Sequence, residues 1–377
     1  MKRPFSATLA TLTVALALSI AFPFARLTAQ QTQGPITPKS GNTVQQPPND
    51  TIRVRVALVN LPVTVRDASG ELVLNLQKKD FHVLDNGVEQ TVDSFDLGGE
   101  PLSAVLLFET STRVAPLLPA VQKAGIVFTQ TVIGPSGDAA VFGYNETIDK
   151  LLPFTGDHDQ IEKTIANLKP VTSGTRLYDA LSSAVSQLRE RPPTRRRVII
   201  VVGEARDSGS EQKLGEVLRQ AQLANVVIYT VGLSTTAADL KSQPRPAQTT
   251  KGTPPGIFGM PPVPGTAQTP TTEQQQRGGS IDLMALAEWA VLHATAVVKD
   301  HPLEVATVAT GGMYQSTFKD RSIEKAVDSI GAELNAQYTL SYHPVGSGAA
   351  GYHKLQVTVD RPEDTVRTRP GYYLEAK

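Results

Sequence analysis

The chain has 377 residues and no cysteine, and its 36 basic and 36 acidic side chains balance to zero. Those facts exclude a disulfide framework, a thiolate metal site, a thiol nucleophile and a lipidated cysteine, and they remove any bulk electrostatic case for a nucleic-acid partner. At 40% hydrophobic and 19% charged the composition is globular, and the length calls for two domains or one large domain with an insertion.

Residues 1–29 have the layout of a secretory signal peptide. Lys2 and Arg3 precede an uncharged, mostly apolar stretch at 4–25, and Arg26, Leu27, Thr28 and Ala29 end on a small residue before Gln30. Cleavage there removes three bases and no acid, leaving 33 basic against 36 acidic side chains, a charge of −3. Retention of the 22 uncharged residues as a membrane anchor is the competing reading. In both cases the remaining chain is expected outside the cytoplasm, secreted or in the periplasm and cell envelope, with membrane contact only through a retained anchor.

Residues 30–50 are polar, contain proline and lack periodicity, which predicts a disordered linker. From 51 onward Ile52, Val54, Val56 and Leu58 alternate with polar or small residues, and Val63 and Val65 lead into a turn cluster at 67–70. Phe81, Val83 and Leu84 run into Asn86-Gly87, a hairpin signal because both residues accept positive φ. Residues 51–97 are therefore expected to form the first part of a β domain.

Over 98–344 strands and helices alternate. The runs at 103–108, 138–144, 198–202 and 226–231 read as strands, the first apolar throughout and so fit for burial on both faces. Between them 115–132, 158–169 (with Ile161, Ile165 and Leu168), 177–188 and 211–224 carry helical spacing. This order predicts a Rossmann-like, doubly wound and mainly parallel sheet. Residues 236–280 hold eight prolines and little apolar pattern, which predicts a disordered insertion. Helices are expected again at 281–298, 303–310 and 321–335, followed by a strand at 338–342. Residues 345–377 return to β alternation through Leu355, Val357 and Val359. Because termini often lie close together, they are expected to complete a small β-sandwich-like domain with 51–97, the α/β unit being inserted between the two parts.

Three segments fall where strands of such a sheet end, which is where open α/β sheets bind ligands. They are VLLFETSTRV at 105–114, SGTRLYDALSSAV at 173–185 and VIIVVGEARDSGS at 198–210. In these segments the sequence resembles a von Willebrand factor type A domain, and more narrowly the VWFA-related acidobacterial domain family of exported proteins. The first resembles the family's buried strand followed by Asp-x-Ser-x-Ser, the second its Gly-Thr-x-Leu-Tyr-Asp-Ala, and the third its strand ending in Asp-Gly-x-Asp. ATVATGG at 306–312, QYTLSYHP at 337–344, DFHVLDNGVEQ at 80–90 and TVRTRPGYYL at 365–374 match as well, so the resemblance spans about residues 52–375 apart from the insertion.

The resemblance implies a metal-ion-dependent adhesion site. There Mg²⁺ takes hard oxygen ligands in near-octahedral geometry, and an acidic side chain of a protein or surface ligand completes the shell. Carried over by position, the metal ligands are Glu109, Ser111, Thr175 and Glu204. The sequence departs from the motif in two ways. Both aspartates are glutamates, which displaces each carboxylate by about 1.5 Å, one carbon–carbon bond. The second serine is Arg113, whose guanidinium has five donors and no acceptor and cannot ligate a cation. The expectation is that Arg113 takes the metal's place and pairs with Glu109 or Glu204, so that Mg²⁺ dependence is in doubt. Arg113 and Asp207 are then the candidate ligand-binding residues, Asp207 having a second reading as the cap of a helix beginning near Glu211.

Other features read as structural. The six histidines show no zinc spacing, Ser136 lies outside any hydrolase elbow, and no Walker loop or GxGxxG follows a strand. Arg195, Arg196 and Arg197 read as a solvated approach to the strand at 198–202. Trp289, with Leu286 and Leu292, reads as part of a core or covering helix. The sequence thus points to an exported, non-enzymatic protein-binding or adhesion module, without nucleic acid. Its rival is a structural subunit of a cell-envelope assembly with no metal-dependent ligand site.

Overall fold

A computed structural model describes residues 58–234, 283–294, 301–317, 320–345 and 350–374. The chain opens with strand β1 (Val59–Arg66), then β2 (Phe81–Asp85), β3 (Val88–Gln90) and β4 (Ser94–Leu97). The turn between β2 and β3 is the expected Asn-Gly turn, with φ of 50° at Asn86 and 81° at Gly87. Strand β5 (Leu102–Glu109) leads to helix α1 (Leu118–Lys123), which continues through a short turn at Gly125–Val127 and a wider π turn at Phe128–Ile133. Strands β6 (Asp138–Tyr144) and β7 (Ile148–Thr155) precede α2 (His158–Ala166), capped by the Asp157 carboxylate, which accepts from the Gln160 amide at 3.1 Å.

Helix α3 (Leu177–Arg189), β8 (Arg196–Gly203), α4 (Leu214–Leu223) and β9 (Val226–Leu233) follow in the expected alternation. Then come α5 (Leu283–Leu292), α6 (Pro302–Thr310), β10 (Tyr314–Thr317), α7 (Asp320–Ala336) and β11 (Tyr338–Tyr342). Strands β12 (Gly351–Val359), β13 (Thr365–Arg367) and β14 (Gly371–Leu374) end the described chain.

The central sheet has the order β10-β9-β8-β5-β6-β7 and is parallel except at β7, which pairs antiparallel with β6. Every residue of β5 and β9 is buried, as the unbroken apolar runs require. Alternation then sorts side chains between two cores. Leu106, Phe108, Ile200 and Tyr229 meet α1, α2 and α7 on one face. Leu107, Val201 and Ile228 meet α3, α4, α5 and α6 on the other, where Trp289 packs at the margin. The fold is thus α/β and doubly wound.

Two four-stranded sheets, β13-β1-β11-β4 and β14-β12-β2-β3, enclose a third core of Leu61, Val63, Phe81, Val83, Tyr338, Leu340 and Tyr342. They form the expected flanking β-rich region, built from both ends of the sequence. All described residues lie in one compact unit, Arg55–Lys377.

The structure adds three things to the expected pattern. Strand β7 is half exposed and carries Asp149 and Lys150, so it lacks an apolar signature. Strand β10 is only four residues long. Strand β11, grouped by sequence with the α/β stretch, pairs antiparallel with β1 and β4 instead. Its five residues are all buried, which suits either kind of sheet, and only the distant β1 partner decides between them. The expected signal peptide at 1–29, the linker at 30–50 and the insertion at 236–280 lie outside the described residues. Among the described residues no helix is long and apolar enough to cross a membrane.

Ile200, fully buried at mid-sheet in β8, gives a direct test of this packing. Ile200→Ala should lose about 2–5 kcal/mol of stability, whereas Leu151→Ala, at an edge position 45% exposed, should stay within about 0.5 kcal/mol. Urea denaturation of both variants measures the difference.

Candidate functional site

Parallel order brings the ends of β5, β6 and β8 side by side, with Glu109 opposite Tyr144 in register. Glu109 is the last residue of β5, and Glu204 follows the last residue of β8. Between them stands Gly203, and a methyl group there would lie 2.1 Å from the Tyr144 hydroxyl and 2.9 Å from Glu109 Oε2. Only a glycine lets these strands deliver two carboxylates so close together.

The Glu109 carboxylate is 2% exposed, and both its oxygens accept hydrogen bonds. Ser111 Oγ donates to Oε1 at 2.5 Å, and the Glu204 backbone N–H donates to Oε2 at 2.6 Å. Burial raises the Glu109 carboxyl above its ordinary value of 4.5. Those two hydrogen bonds and the charge of Arg113 pull it down, the charge of Glu204 pushes it up, and burial prevails. Above this network, Arg113 Nε donates to Glu204 Oε2 at 2.8 Å. The Arg113 side chain is 35% exposed against 9% for that of Glu204, and its two terminal Nη groups make no hydrogen bond among the described residues. The expected arginine–glutamate pair therefore forms, with Glu204.

Thr175 is buried in the neighbouring loop but faces a different set of atoms. Its Oγ1 lies 3.2 Å from both the Arg206 carbonyl and Ser208 Oγ, and its backbone N–H donates to Ser208 Oγ at 3.0 Å. It makes no hydrogen bond with Glu109 or Ser111. Asp207 caps a helix, as one reading held, but not the one near Glu211. Its Oδ1 accepts from the Tyr178 amide at 3.3 Å and from Ser210 Oγ at 2.6 Å, which places it on the first turn of α3. Helix α4 begins later, at Leu214. In return Asp179 of α3 accepts from the backbone N–H groups of Glu211 and Gln212, so the two loops lock each other.

Two residues of the site had no signal in the sequence reading. Asn145, fully buried, accepts at Oδ1 from the Thr147 amide and Thr172 Oγ1, both at 3.0 Å, and donates to Thr110 Oγ1 at 3.0 Å. It ties all the loops on the β5 side together, and a lone Asn after a buried strand is its only trace. Tyr144 ends β6, and its buried hydroxyl has no hydrogen-bond partner among the described residues. Burial first, and the charges of Glu109, Glu204 and Asp207 after it, hold that phenol well above its usual range.

Magnesium needs near-octahedral oxygen ligands that are free to turn their lone pairs inward. Here Ser111 Oγ and the Glu204 backbone N–H donate to the two Glu109 oxygens, and Arg113, which has no lone pair to offer a cation, stands on Glu204 with its own positive charge. Among the described residues no group of three His, Asp or Glu side chains is placed to hold a cation. As arranged, these residues do not fit the metal that the motif implies.

A doubly wound parallel sheet with its loops converging at the carboxyl ends of the central strands defines an α/β domain that carries its site at one end. Residues 110–206 match the family model of the von Willebrand factor type A domain. No curated protein matches the chain. Among solved structures it is similar to the conserved hypothetical protein BatB from Bacteroides thetaiotaomicron, at 15% identity and a TM-score of 0.38, covering 62% of this chain and 98% of that one. The SpRpn10 VWA domain matches at 12% identity and a TM-score of 0.36, covering 60% of this chain and 94% of the other. Proximal thread matrix protein 1 from the mussel byssus matches at 12% identity and 0.40, covering 66% of this chain and spanning 50% of that protein. At such identities and scores none of the three bears on function.

Since the folded carboxyl of Glu109 is raised above its unfolded value, its contribution to stability is complete below about pH 4.5 and is lost as pH rises through the raised value. Glu109→Gln should therefore gain stability over the native chain as pH climbs from about 4 to about 8. Urea midpoints across that range measure it, and parallel curves for the two proteins would remove burial as the dominant influence on Glu109.

Proposed function

We propose that the chain is an exported, non-enzymatic interaction module whose loop face grips an acidic group of a protein or surface ligand through Arg113, without metal. The observation that supports this is the division of labour within one guanidinium. Nε is anchored on Glu204, while the terminal Nη groups of a partly exposed side chain are left to form a fork. A planar guanidinium fork matches a carboxylate in two parallel hydrogen bonds. In the adhesion motif a bound cation would attract the ligand's carboxylate; here a fixed charge on the protein does so. Export rests on the signal-like residues 1–29, and von Willebrand type A domains as a class act in protein–protein contacts.

Calorimetry with Mg²⁺ and Mn²⁺ tests the exchange of metal for arginine. The native chain should give no heat of binding, and Arg113→Ser, which removes the built-in cation and restores an oxygen ligand, should bind. Tight binding by the native chain, or silence from the variant, would count against the reading. Retention of a displayed library of acidic peptides should be unaffected by EDTA and fall about tenfold or more in Arg113→Gln, which loses the charged fork.

A further inference from the structure

At the opposite end of the sheet lies a cavity of about 90 Å³, several times the roughly 10–15 Å³ that one water needs. It is bounded by the starts of β8 and β9, by β1 and β11, and by the segment between β13 and β14. The residues that matter are Arg196, Arg197, Arg369, Gln222, Asn225 and Glu100. Arg196 and Arg197, read from the sequence as a solvated approach to β8, turn inward instead. Arg196 donates to the Leu334 carbonyl at 2.7 Å, and Arg197 to those of Ala224 and Arg191 at 2.8 and 2.5 Å. The pull is the row of unsatisfied carbonyls where α7, α4 and α3 end. Arg195, the third of the run, is partnered separately by Ser103, the Leu102 carbonyl and Asp138.

Carbonyl oxygens satisfy part of each guanidinium but supply no counter-charge. Arg196, Arg197 and Arg369 have no carboxylate within salt-bridge distance among the described residues, and the Nε of each is buried without a hydrogen-bond partner. Arg369 is only 4% exposed, held by the Asn60 carbonyl at 2.9 Å and Asn225 Oδ1 at 3.3 Å. Burial lowers all three from the usual arginine value, Arg369 to about 10. Arg369 is fully buried, Arg196 and Arg197 are part-buried, and the charges of Glu100 and Asp96 reach Arg196 without pairing with it, so an anion among the three would offset the cost of their desolvation.

The same wall also carries acceptors. Gln222 Oε1 is buried without a hydrogen-bond partner among the described residues, its Nε2 being engaged with the Ala309 carbonyl at 2.9 Å. Glu100 lines the cavity too, and burial raises its carboxyl from the ordinary value. A fully deprotonated anion such as sulfate offers these acceptors nothing, whereas an anion that keeps an O–H can donate to one of them.

We propose that this cavity is a binding site for a protonated tetrahedral oxyanion, hydrogenphosphate in preference to sulfate, as a free ion or as the singly protonated end of a phosphate monoester. The guanidinium groups of Arg196, Arg197 and Arg369 neutralise it, and Glu100 or Gln222 accepts the hydrogen bond from its O–H. The site stands apart from the loop face and does not depend on the reading of Arg113.

Calorimetric titration of the full chain with inorganic phosphate, sulfate and glycerol phosphate, at low ionic strength in chloride buffer, tests the assignment. Phosphate should bind saturably and more tightly than sulfate. Arg369→Met and, separately, Arg196→Met should each weaken it about tenfold or more, with thermal denaturation checking that the variants fold. Glu100→Gln, which removes a negative charge, should strengthen sulfate and narrow the gap between the two anions. At about pH 5, below the second pKa of about 6 at which a monoester loses its O–H, binding of glycerol phosphate as tight as that of phosphate identifies an ester end as the occupant, and a preference for phosphate identifies the free ion. Absence of saturable binding by the native chain, or affinity unchanged in both arginine variants, overturns the site. Equal affinity for phosphate and sulfate overturns the acceptor role of Glu100 and Gln222.

Discussion

The loop face depends on one buried carboxylate. Glu109 is carried out of water at the end of a strand buried on both faces, and it stays there because Ser111 and the Glu204 backbone each give it a proton donor. That arrangement fixes the first loop on the third, and the Glu204 carboxylate holds Arg113. Tyr144 and Gly203 pack beneath it, so strand spacing and loop position are set by the same few atoms. A second carboxylate this close to the first would be repelled were Arg113 not between it and solvent.

The two ends of the parallel sheet treat charge in opposite ways, and the reason is geometric. Right-handed β–α connections put helix N-termini at the carboxyl end of the strands and helix C-termini at the amino end. The partial charges of the peptide groups follow the same polarity. Asp207 and Ser210 accordingly meet the start of α3, while Arg196 and Arg197 meet the ends of α7, α4 and α3.

What the sequence made legible follows from the range of the interactions involved. The apolar runs of β5, β8 and β9 need no partner to be recognised, and Asn86-Gly87 carries its turn in its own backbone preferences. The acids and hydroxyls of the loop face were found because the motif fixes their order along the chain. The pairing of Arg113 with one of the two glutamates was legible too, but which glutamate, and the bond of Asp207 to α3, are choices among neighbours made only after folding. Strand β11 and the inward turn of the arginine run failed for the same reason. A buried tyrosine-rich strand suits either sheet, and a basic run looks solvated until helix ends arrive above it.

The pairing of β1 has a kinetic consequence. It is the first described strand, yet its partners are β11 and β13, and the bond between Ser341 and Asn60 joins residues 281 positions apart. The entropy of closing so long a loop is met only after the central sheet has condensed and brought the two ends together. Throughout synthesis, therefore, Leu61, Val63 and Val65 travel as an unpaired apolar strand with both edges open. The flanking sheets close last, and the interval before they close is when the chain is most exposed to pairing with another copy of itself.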